Sequence, residues 1–385
     1  MRDADAMRAA LDAAYGARRR VAPWPHVGAV IVRHGEVVGI GATGSFPQGP
    51  HAEVAALAEA ADRAVGATLV TTLEPCNHHG NTPPCTEAIL AAGVSRVVVA
   101  LTDPDPKVAG SGLARLTAAG IEVDVGVGAD LVADQLWAYL HHRRTGRAAT
   151  LAKVATSLDG RIAAADGSSR WITGAEARAD AHGLRADSQA IVVGAGTVLA
   201  DDPELTVRDA GGPEMFAAPL RVLLDARGRV PATVRLADTS VAPTLIVTTP
   251  VAPESALAPW RERGCEVVTV DFAENDRGSG VDLVDVLELL GGRGVLQAMV
   301  EGGAYLHGAL FDAGLVDRVV AYVGNTLLGA EGLAGYGLGG PKSIADAARF
   351  GLRSVRQLGD DARLEYTPER GRDPGDPADA RATEV

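Results

Sequence analysis

Apolar and polar positions alternate in short blocks along this chain, and the blocks change period in a regular order. Residues 4–18 carry apolar side chains at helical spacing, and "VGAVIVRHGEVVGIGAT" (27–43) reads as two β runs around a turn at His34-Gly35. There follow an Ala-rich helix over 51–64, a strand over 67–75, a helix over 85–93 stopped by Gly93 and a strand over 95–101. A helix over 110–120, a strand over 121–127 and a helix over 129–143 complete the series. Alternation of this kind predicts a layered α/β domain with a largely parallel sheet, spanning 1–146.

A second series then begins. Strands are predicted over 149–157, 188–194, 219–225, 243–249, 265–271, 295–301 and 317–324, with helices over 174–186, 281–290 and 303–313. This is a second α/β domain, 147–370. The stretch 371–385, "GRDPGDPADARATEV", is rich in Pro and Asp and is predicted to be disordered. No internal repeat is visible.

Composition narrows the function. A chain of 385 residues exceeds the size at which one core usually keeps growing, which agrees with two domains. The net charge of −13 disfavours nucleic acid as a partner, and the one basic stretch, "HHRRTGR" (141–147), is short. No apolar run approaches a membrane span, and the charged first residues hold no apolar signal core. Three cysteines cannot all pair, and two fall in one cluster, which points to metal chemistry in a reducing, cytoplasmic setting.

That cluster is "EPCNHHGNTPPC" (74–85). Eight residues separate Cys76 from Cys85, so their spacing alone does not announce zinc. The third ligand candidate is His51, in "PHAEV", where the chain enters a helix with Glu53 in its first turn. Cys76 and Cys85 each follow a proline at an apparent loop-to-helix junction. A helix N-terminus favours the thiolate that binds zinc. Three protein ligands leave a position for water, the arrangement of a catalytic zinc, and a carboxylate that is not a ligand can then move protons. H-A-E alone would suit a helix cap; with two P-C steps downstream the metal reading prevails. The cysteine spacing is six residues longer than the H-x-E, P-C-x-x-C pattern of zinc deaminases. His78 and His79 stay open as spare ligands, substrate contacts or loop residues. In the second domain, "VLQAMVEGGAYLHGALFDAG" (295–314) ends a buried strand at Glu301, turns at Gly302-Gly303 and starts a helix, a place where phosphate can sit. "GAGTV" (194–198) is a weaker glycine signal and lacks the dinucleotide fingerprint.

"HAEV", the stretch "TLEPCNHHGNTPPCTEAILAAGVSRVVVALTDPDPKVAGSG", then "ATSLDGRIAAADGSSRWIT", "GAGTVLADDPELTVR" and "VEGG" resemble the bifunctional riboflavin-biosynthesis deaminase/reductase family over roughly 5–365. The resemblance implies a cytidine-deaminase-like three-layer α/β/α domain followed by a dihydrofolate-reductase-like α/β domain. It implies Zn2+ on His51, Cys76 and Cys85, with Glu53 as proton shuttle. It implies NADPH against Ala155, Trp171, Thr197, Asp201 and the turn and helix start Gly303, Ala304, Tyr305, Leu306, His307, Gly308 and Ala309. Substrate would meet Ser169, Arg185, Leu205, Arg208 and Glu301, with Lys153 and Asp159 as further polar candidates near the sugar. The implied chemistry is hydrolytic deamination of a diaminopyrimidinone ribosylamine phosphate, then reduction of its ribosyl group to ribityl. The implied partners are that small molecule and further copies of the chain, as a dimer or tetramer.

Two positions depart from the family pattern. Trp24, in "PWPHVGAV", stands where many relatives carry Asn, and Asn81 stands where a basic residue precedes "TPPC". These changes bear on substrate recognition and leave the metal set intact. They keep two alternatives in view: the same architecture acting on another ribosylated heterocycle, or a reductase with a weak deaminase half. Cys265 reads as a core thiol.

Overall fold

The computed structural model describes residues 1–80, 82–208, 217–275, 278–337 and 342–369. Asn81 and the predicted disordered stretch 371–385 lie outside the described residues. The chain divides into two compact units, one over Met1–Gly146 and one from Arg147 onward.

The first unit runs α1 (Asp3–Ala17), β1 (Gly28–Arg33), β2 (Glu36–Ala42), α2 (Ala52–Ala60), β3 (Thr68–Leu73), α3 (Cys85–Ala91), β4 (Arg96–Leu101), α4 (Ser111–Ala118), β5 (Glu122–Val125), α5 (Ala129–Gln135) and α6 (Trp137–Thr145). Its sheet has the order β2-β1-β3-β4-β5. It is less parallel than the alternation predicts, because β1 is antiparallel to both β2 and β3, while β3, β4 and β5 run parallel. The cause of the first reversal is local. His34 and Gly35 both take positive φ (50° and 81°), a two-residue turn that can join only antiparallel strands. The helix predicted over 129–143 is instead two helices that meet at Leu136.

Two glycines show the layering. A Cβ at Gly28 would lie 1.8 Å from the Ala10 carbonyl of α1, and one at Gly41 would lie 2.2 Å from the Ala52 carbonyl of α2. Gly41 pairs with Ala29, so it faces away from Gly28. Helices α1 and α2 therefore cover opposite faces, and the unit is the three-layer sandwich expected.

The second unit adds β6 (Ala149–Thr156), β7 (Arg161–Ala163), α7 (Ala175–Ala186), β8 (Ala190–Gly194), α8 (Ala195–Asp201), β9 (Leu220–Leu224), β10 (Thr244–Thr248), α9 (Glu254–Glu262), β11 (Glu266–Thr269), β12 (Phe272–Asn275), β13 (Gly278–Val281), α10 (Leu283–Gly292), β14 (Gln297–Val300), α11 (Ala304–Asp312), β15 (Arg318–Val323), β16 (Leu333–Ala334), β17 (Phe350–Leu358) and β18 (Asp361–Pro368). The main sheet has the order β11-β10-β9-β8-β14-β6-β15-β18-β17. The seven strands from β11 through β10, β9, β8, β14 and β6 to β15 are parallel, and the hairpin β17-β18 adds an antiparallel edge. Side chains alternate between two cores. Val192, Val222 and Val247 pack with α10 and α11 on one face, and Ile191, Leu223 and Ile246 pack with Trp260 and Cys265 on the other. Cys265 is the core thiol expected of it.

One buried carboxylate orders the first unit around its chemistry. Glu74 follows β3 directly and is buried. Its Oε1 accepts from the backbone N–H of Gly112 (2.9 Å) and Leu113 (3.3 Å), and its Oε2 from Gly110 (2.9 Å) and Asp103 (3.2 Å). Helix α4 thus starts on a negative charge supplied by the residue two before Cys76. Glu74→Ala leaves these donors facing a void. It is expected to destabilise the first unit by about 3 kcal/mol, read from urea unfolding, whereas Glu122→Ala on the exposed surface should cost under about 0.5 kcal/mol.

Candidate active sites

His51 is the last extended residue before α2 (φ −70°, ψ 158°), and Glu53 lies in the first turn. Cys85 opens α3 behind Pro84. Cys76 does not open a helix, contrary to the sequence expectation; it lies in the loop after β3. Its sulfur nevertheless meets a helix start, because the Cys85 N–H at the head of α3 donates to Cys76 Sγ at 3.4 Å.

His51 Nδ1 is 3.2 Å from Cys85 Sγ and 3.5 Å from Cys76 Sγ, and the ligand atoms of all three residues lie within 4.8 Å of one another. His51 Nε2 faces Thr82 Oγ1 at 3.4 Å, which leaves Nδ1 to offer its lone pair. One imidazole nitrogen and two sulfurs form a donor set suited to zinc. The thiol and N–H of Cys85 donate to Cys76 and, with the neighbouring His51 ring, hold its thiol down at about 4. The same hydrogen bond, with burial, pushes the Cys85 thiol up. Glu53 is 3% exposed, and burial pushes its carboxyl up to about 7. Its Oε2 is 3.6 Å from Cys85 Sγ. A carboxyl poised near neutrality beside the metal set can both take and return a proton.

The two open histidines separate. His79 is exposed, 3.7 Å from Glu87, while His78 turns inward with its Nδ1 buried and unpartnered among the described residues. Trp24 takes a place that sequence alone did not fix. Its ring meets His51 edge-on at 5.7 Å and is backed by Phe46 at 5.1 Å. The loops carrying Trp24 and Phe46 are tied by Phe46 N–H to Arg20 O (3.1 Å) and Thr43 Oγ1 to Pro25 O (3.1 Å).

In the second unit a cleft of about 1370 Å³ opens at the ends of the strands. Of the residues expected to meet the dinucleotide, it is lined by Thr197, Asp201, Gly303, Ala304, Tyr305, Leu306 and Ala309; Ser169 lines it too. Ala155, Trp171, His307 and Gly308 do not line it. Trp171 is 67% exposed with Arg178 stacked 4.3 Å over its ring. His307 is buried, with Nε2 3.3 Å from Val300 O. "GAGTV" forms the start of α8, and Thr197 Oγ1 accepts from Gly303 N–H at 3.0 Å, joining α8 to the glycine turn.

The remaining candidates form a polar cluster around Glu301. Arg185 grips this carboxylate with Nε and Nη2, the latter at 3.0 Å, and Lys153 Nζ lies 3.5 Å away. Burial alone would raise the Glu301 carboxyl, but the two cations outweigh it and hold it at about 2. Arg185 also donates to Thr206 O (2.9 Å), the Arg208 N–H donates to His182 Nδ1 (3.2 Å), and buried Arg221 reaches Glu204 O (3.3 Å). These bonds fix the 204–208 segment, in which Leu205 is buried at φ 52° and Arg208 is exposed. Asp159 is engaged elsewhere, accepting from Ser157 Oγ (2.6 Å) and from the N–H groups of Leu328 (3.1 Å) and Gly329 (2.7 Å). Sequence reasoning missed His182 and Arg221. The one available signal for His182 was its place one turn before Arg185 on α7.

Comparisons with known proteins match both domains. The family "Cytidine and deoxycytidylate deaminase zinc-binding region" matches residues 1–101, and "RibD C-terminal domain" matches 149–364. Riboflavin biosynthesis protein RibD of Escherichia coli K12 is 40% identical over 373 residues, covering 94% of this chain and 99% of that protein. RibD of Mycobacterium tuberculosis is 41% identical, covering 94% of this chain and 96% of that protein. The solved Acinetobacter baumannii RibD superposes with a TM-score of 0.85 at 37% identity, covering 96% of this chain and 99% of that one. The Thermotoga maritima diaminohydroxyphosphoribosylaminopyrimidine deaminase/5-amino-6-(5-phosphoribosylamino)uracil reductase gives 0.82 at 31% identity, covering 95% and 98%. This chain belongs to the bifunctional riboflavin-biosynthesis deaminase/reductase family, and works with zinc in its first domain and NADPH in its second.

Proposed function

We propose the following division of labour for the two reactions. His51 Nδ1 and the sulfurs of Cys76 and Cys85 hold zinc, which when bound lowers the pKa of water toward 7 and supplies the nucleophile. Glu53, a buried carboxyl raised to about 7, would serve as the proton shuttle, taking up a proton beside the metal set and returning one to the leaving amino group. The observation that carries this assignment is a buried carboxyl within 3.6 Å of a ligand sulfur, raised to about 7 because burial outweighs the lowering influence of His51. His78, with its unmet inward nitrogen, contacts substrate, and Trp24 holds the His51 ring in place.

In the second domain NADPH supplies the hydride that reduces C1 of the ribosyl group. Thr197, Asp201 and the Gly303–Ala309 segment hold the cofactor, with Ala155 and Trp171 in supporting places. Lys153 and Glu301 face the sugar. Arg185, spent on Glu301 and Thr206, positions the 204–208 segment, so the exposed guanidinium of Arg208 meets the phosphate, with Ser169 and the Leu205 backbone beside it. The free thiols of Cys76 and Cys85 support work in the reducing cytoplasm. A dimer or tetramer completes this reading.

Glu53→Gln is expected to lower deamination by about 10²–10⁴-fold while keeping one zinc per chain by atomic absorption. NADPH oxidation on the pre-deaminated compound should persist; a variant that still deaminates at a tenth of the wild-type rate would remove Glu53 from its role. Cobalt in place of zinc should quench the fluorescence of Trp24, and Trp24→Phe should abolish that quenched component. The held-down pKa of Glu301 implies a pH dependence. Its charge stabilises the second domain above pH ~4.5, and this contribution, about 3 kcal/mol, is lost as pH falls through 4.5 toward 2. Acid titrations of the wild type and Glu301→Gln should therefore converge at low pH.

A further inference from the structure

Helix α7 presents two side chains to the 204–208 segment. His182 and Arg185 stand three residues apart on it and so share a face. Arg185 donates to Thr206 O at 2.9 Å, and His182 Nδ1 accepts from the Arg208 N–H at 3.2 Å. The helix thus grips one carbonyl and, two residues on, one N–H. The segment forms neither helix nor strand, so its backbone groups depend on partners of this kind. Its earlier residues are fixed as well. Leu205 is buried in the core with Leu223 and Trp260, at a φ of 52° that a leucine keeps only where its surroundings impose it. Buried Arg221 donates to Glu204 O at 3.3 Å.

The Arg208 side chain is loose by contrast. It is 59% exposed and pairs with Glu204 at 3.5 Å, a contact too long and too wet to hold it firmly. Where its guanidinium can reach is therefore set by its backbone, and His182 is the side chain that bonds the Arg208 N–H.

We propose that His182 is a positioning residue of the reductase, holding Arg208 against the substrate phosphate through the bond from the Arg208 N–H to imidazole Nδ1. This inference rests on the reading above that Arg208 meets the phosphate. The bond also carries a pH dependence, because Nδ1 accepts a hydrogen bond only while it has no proton of its own. Arg185 on the same helix, Arg208 on the segment and Glu301 after β14 all act on the ring. Burial and the two guanidinium groups keep His182 below its ordinary 6.5, against the opposing pull of Glu301 and the Thr206 backbone. The bond is thus intact above pH 6.5 and is lost as the pH falls through the lowered value.

The test measures reduction of the pre-deaminated compound by the wild type, His182→Leu, His182→Asn, Arg208→Gln and the double variant His182→Leu/Arg208→Gln. At pH about 8, His182→Leu is expected to raise KM for that compound about tenfold, with kcat and the KM for NADPH within about twofold of wild type. His182→Asn, whose amide oxygen can accept the same N–H without titrating, should restore most of the loss. Added to Arg208→Gln, the leucine change should cost nothing further, since the two residues act as one unit. Between pH about 8 and about 5 the wild-type KM should rise more than that of His182→Asn, a comparison in which titration of the substrate phosphate cancels. An unchanged KM in His182→Leu, or losses that multiply in the double variant, would overturn the proposal. So would a wild-type KM that falls relative to His182→Asn in acid, which would make His182 a phosphate-binding cation. Should His182→Leu fold poorly, the pH comparison between the wild type and His182→Asn decides. An Arg208→Gln enzyme with unchanged KM would instead overturn the reading of Arg208 on which the proposal rests.

Discussion

A carboxylate that leaves water at the carboxyl end of a strand must be met by donors, and much of this protein is organised by how that demand is satisfied. Glu74 ends β3 and gathers backbone N–H groups from the loop that opens α4. Asp225 ends β9 and closes the turn that carries two arginines. Glu301 ends β14 and is held by Arg185 and Lys153. An unmet buried charge costs several kcal/mol, so each acid dictates the path of the loop that answers it. Ligands bind at these same strand ends in open α/β sheets. The acids therefore fix the loops, and the loops present the chemistry.

The two sites settle their charge differently. Around Glu301 the cations are already in place, at Arg185 and Lys153, and the carboxyl stays ionised. In the first domain no lysine or arginine is among the groups that perturb Glu53, Cys76 or Cys85. The Cys76 thiol is held down, the Cys85 thiol is pushed up, and burial raises the Glu53 carboxyl to about 7. One imidazole nitrogen and two sulfurs suit a divalent cation such as zinc.

The sequence made the regular parts readable because their signals are local. Apolar alternation marked the parallel strands of both sheets, and proline steps bracketed the metal residues. It failed where the cause is remote. The β17-β18 hairpin was missed because polar and apolar residues are mixed along both strands, neither of which carries a buried run, and β17 lies at the sheet edge. Helix α9 contains Pro259, and α8 begins with the glycine pair of "GAGTV", so both resembled loops. Cys76 was placed at a helix start because it follows proline, whereas its sulfur reaches the start of α3, nine residues on. Pairings such as Arg185 with Glu301, 116 residues apart, have no local signature at all. Trp24 was legible as a departure from the family pattern, but its contact with His51 depends on two loops meeting in space.

The close seating of α2 on β2 also limits the histories open to this domain. At Gly41 any side chain would have to occupy the space of the Ala52 carbonyl, one residue after His51. Replacing that glycine would push the head of the helix outward and carry the imidazole and Glu53 with it. The position cannot drift through intermediates of growing size, since even a methyl group is too large. A site that touches neither metal nor substrate is thus bound to the active site as firmly as a ligand, and sequence change in this lineage has to pass around it.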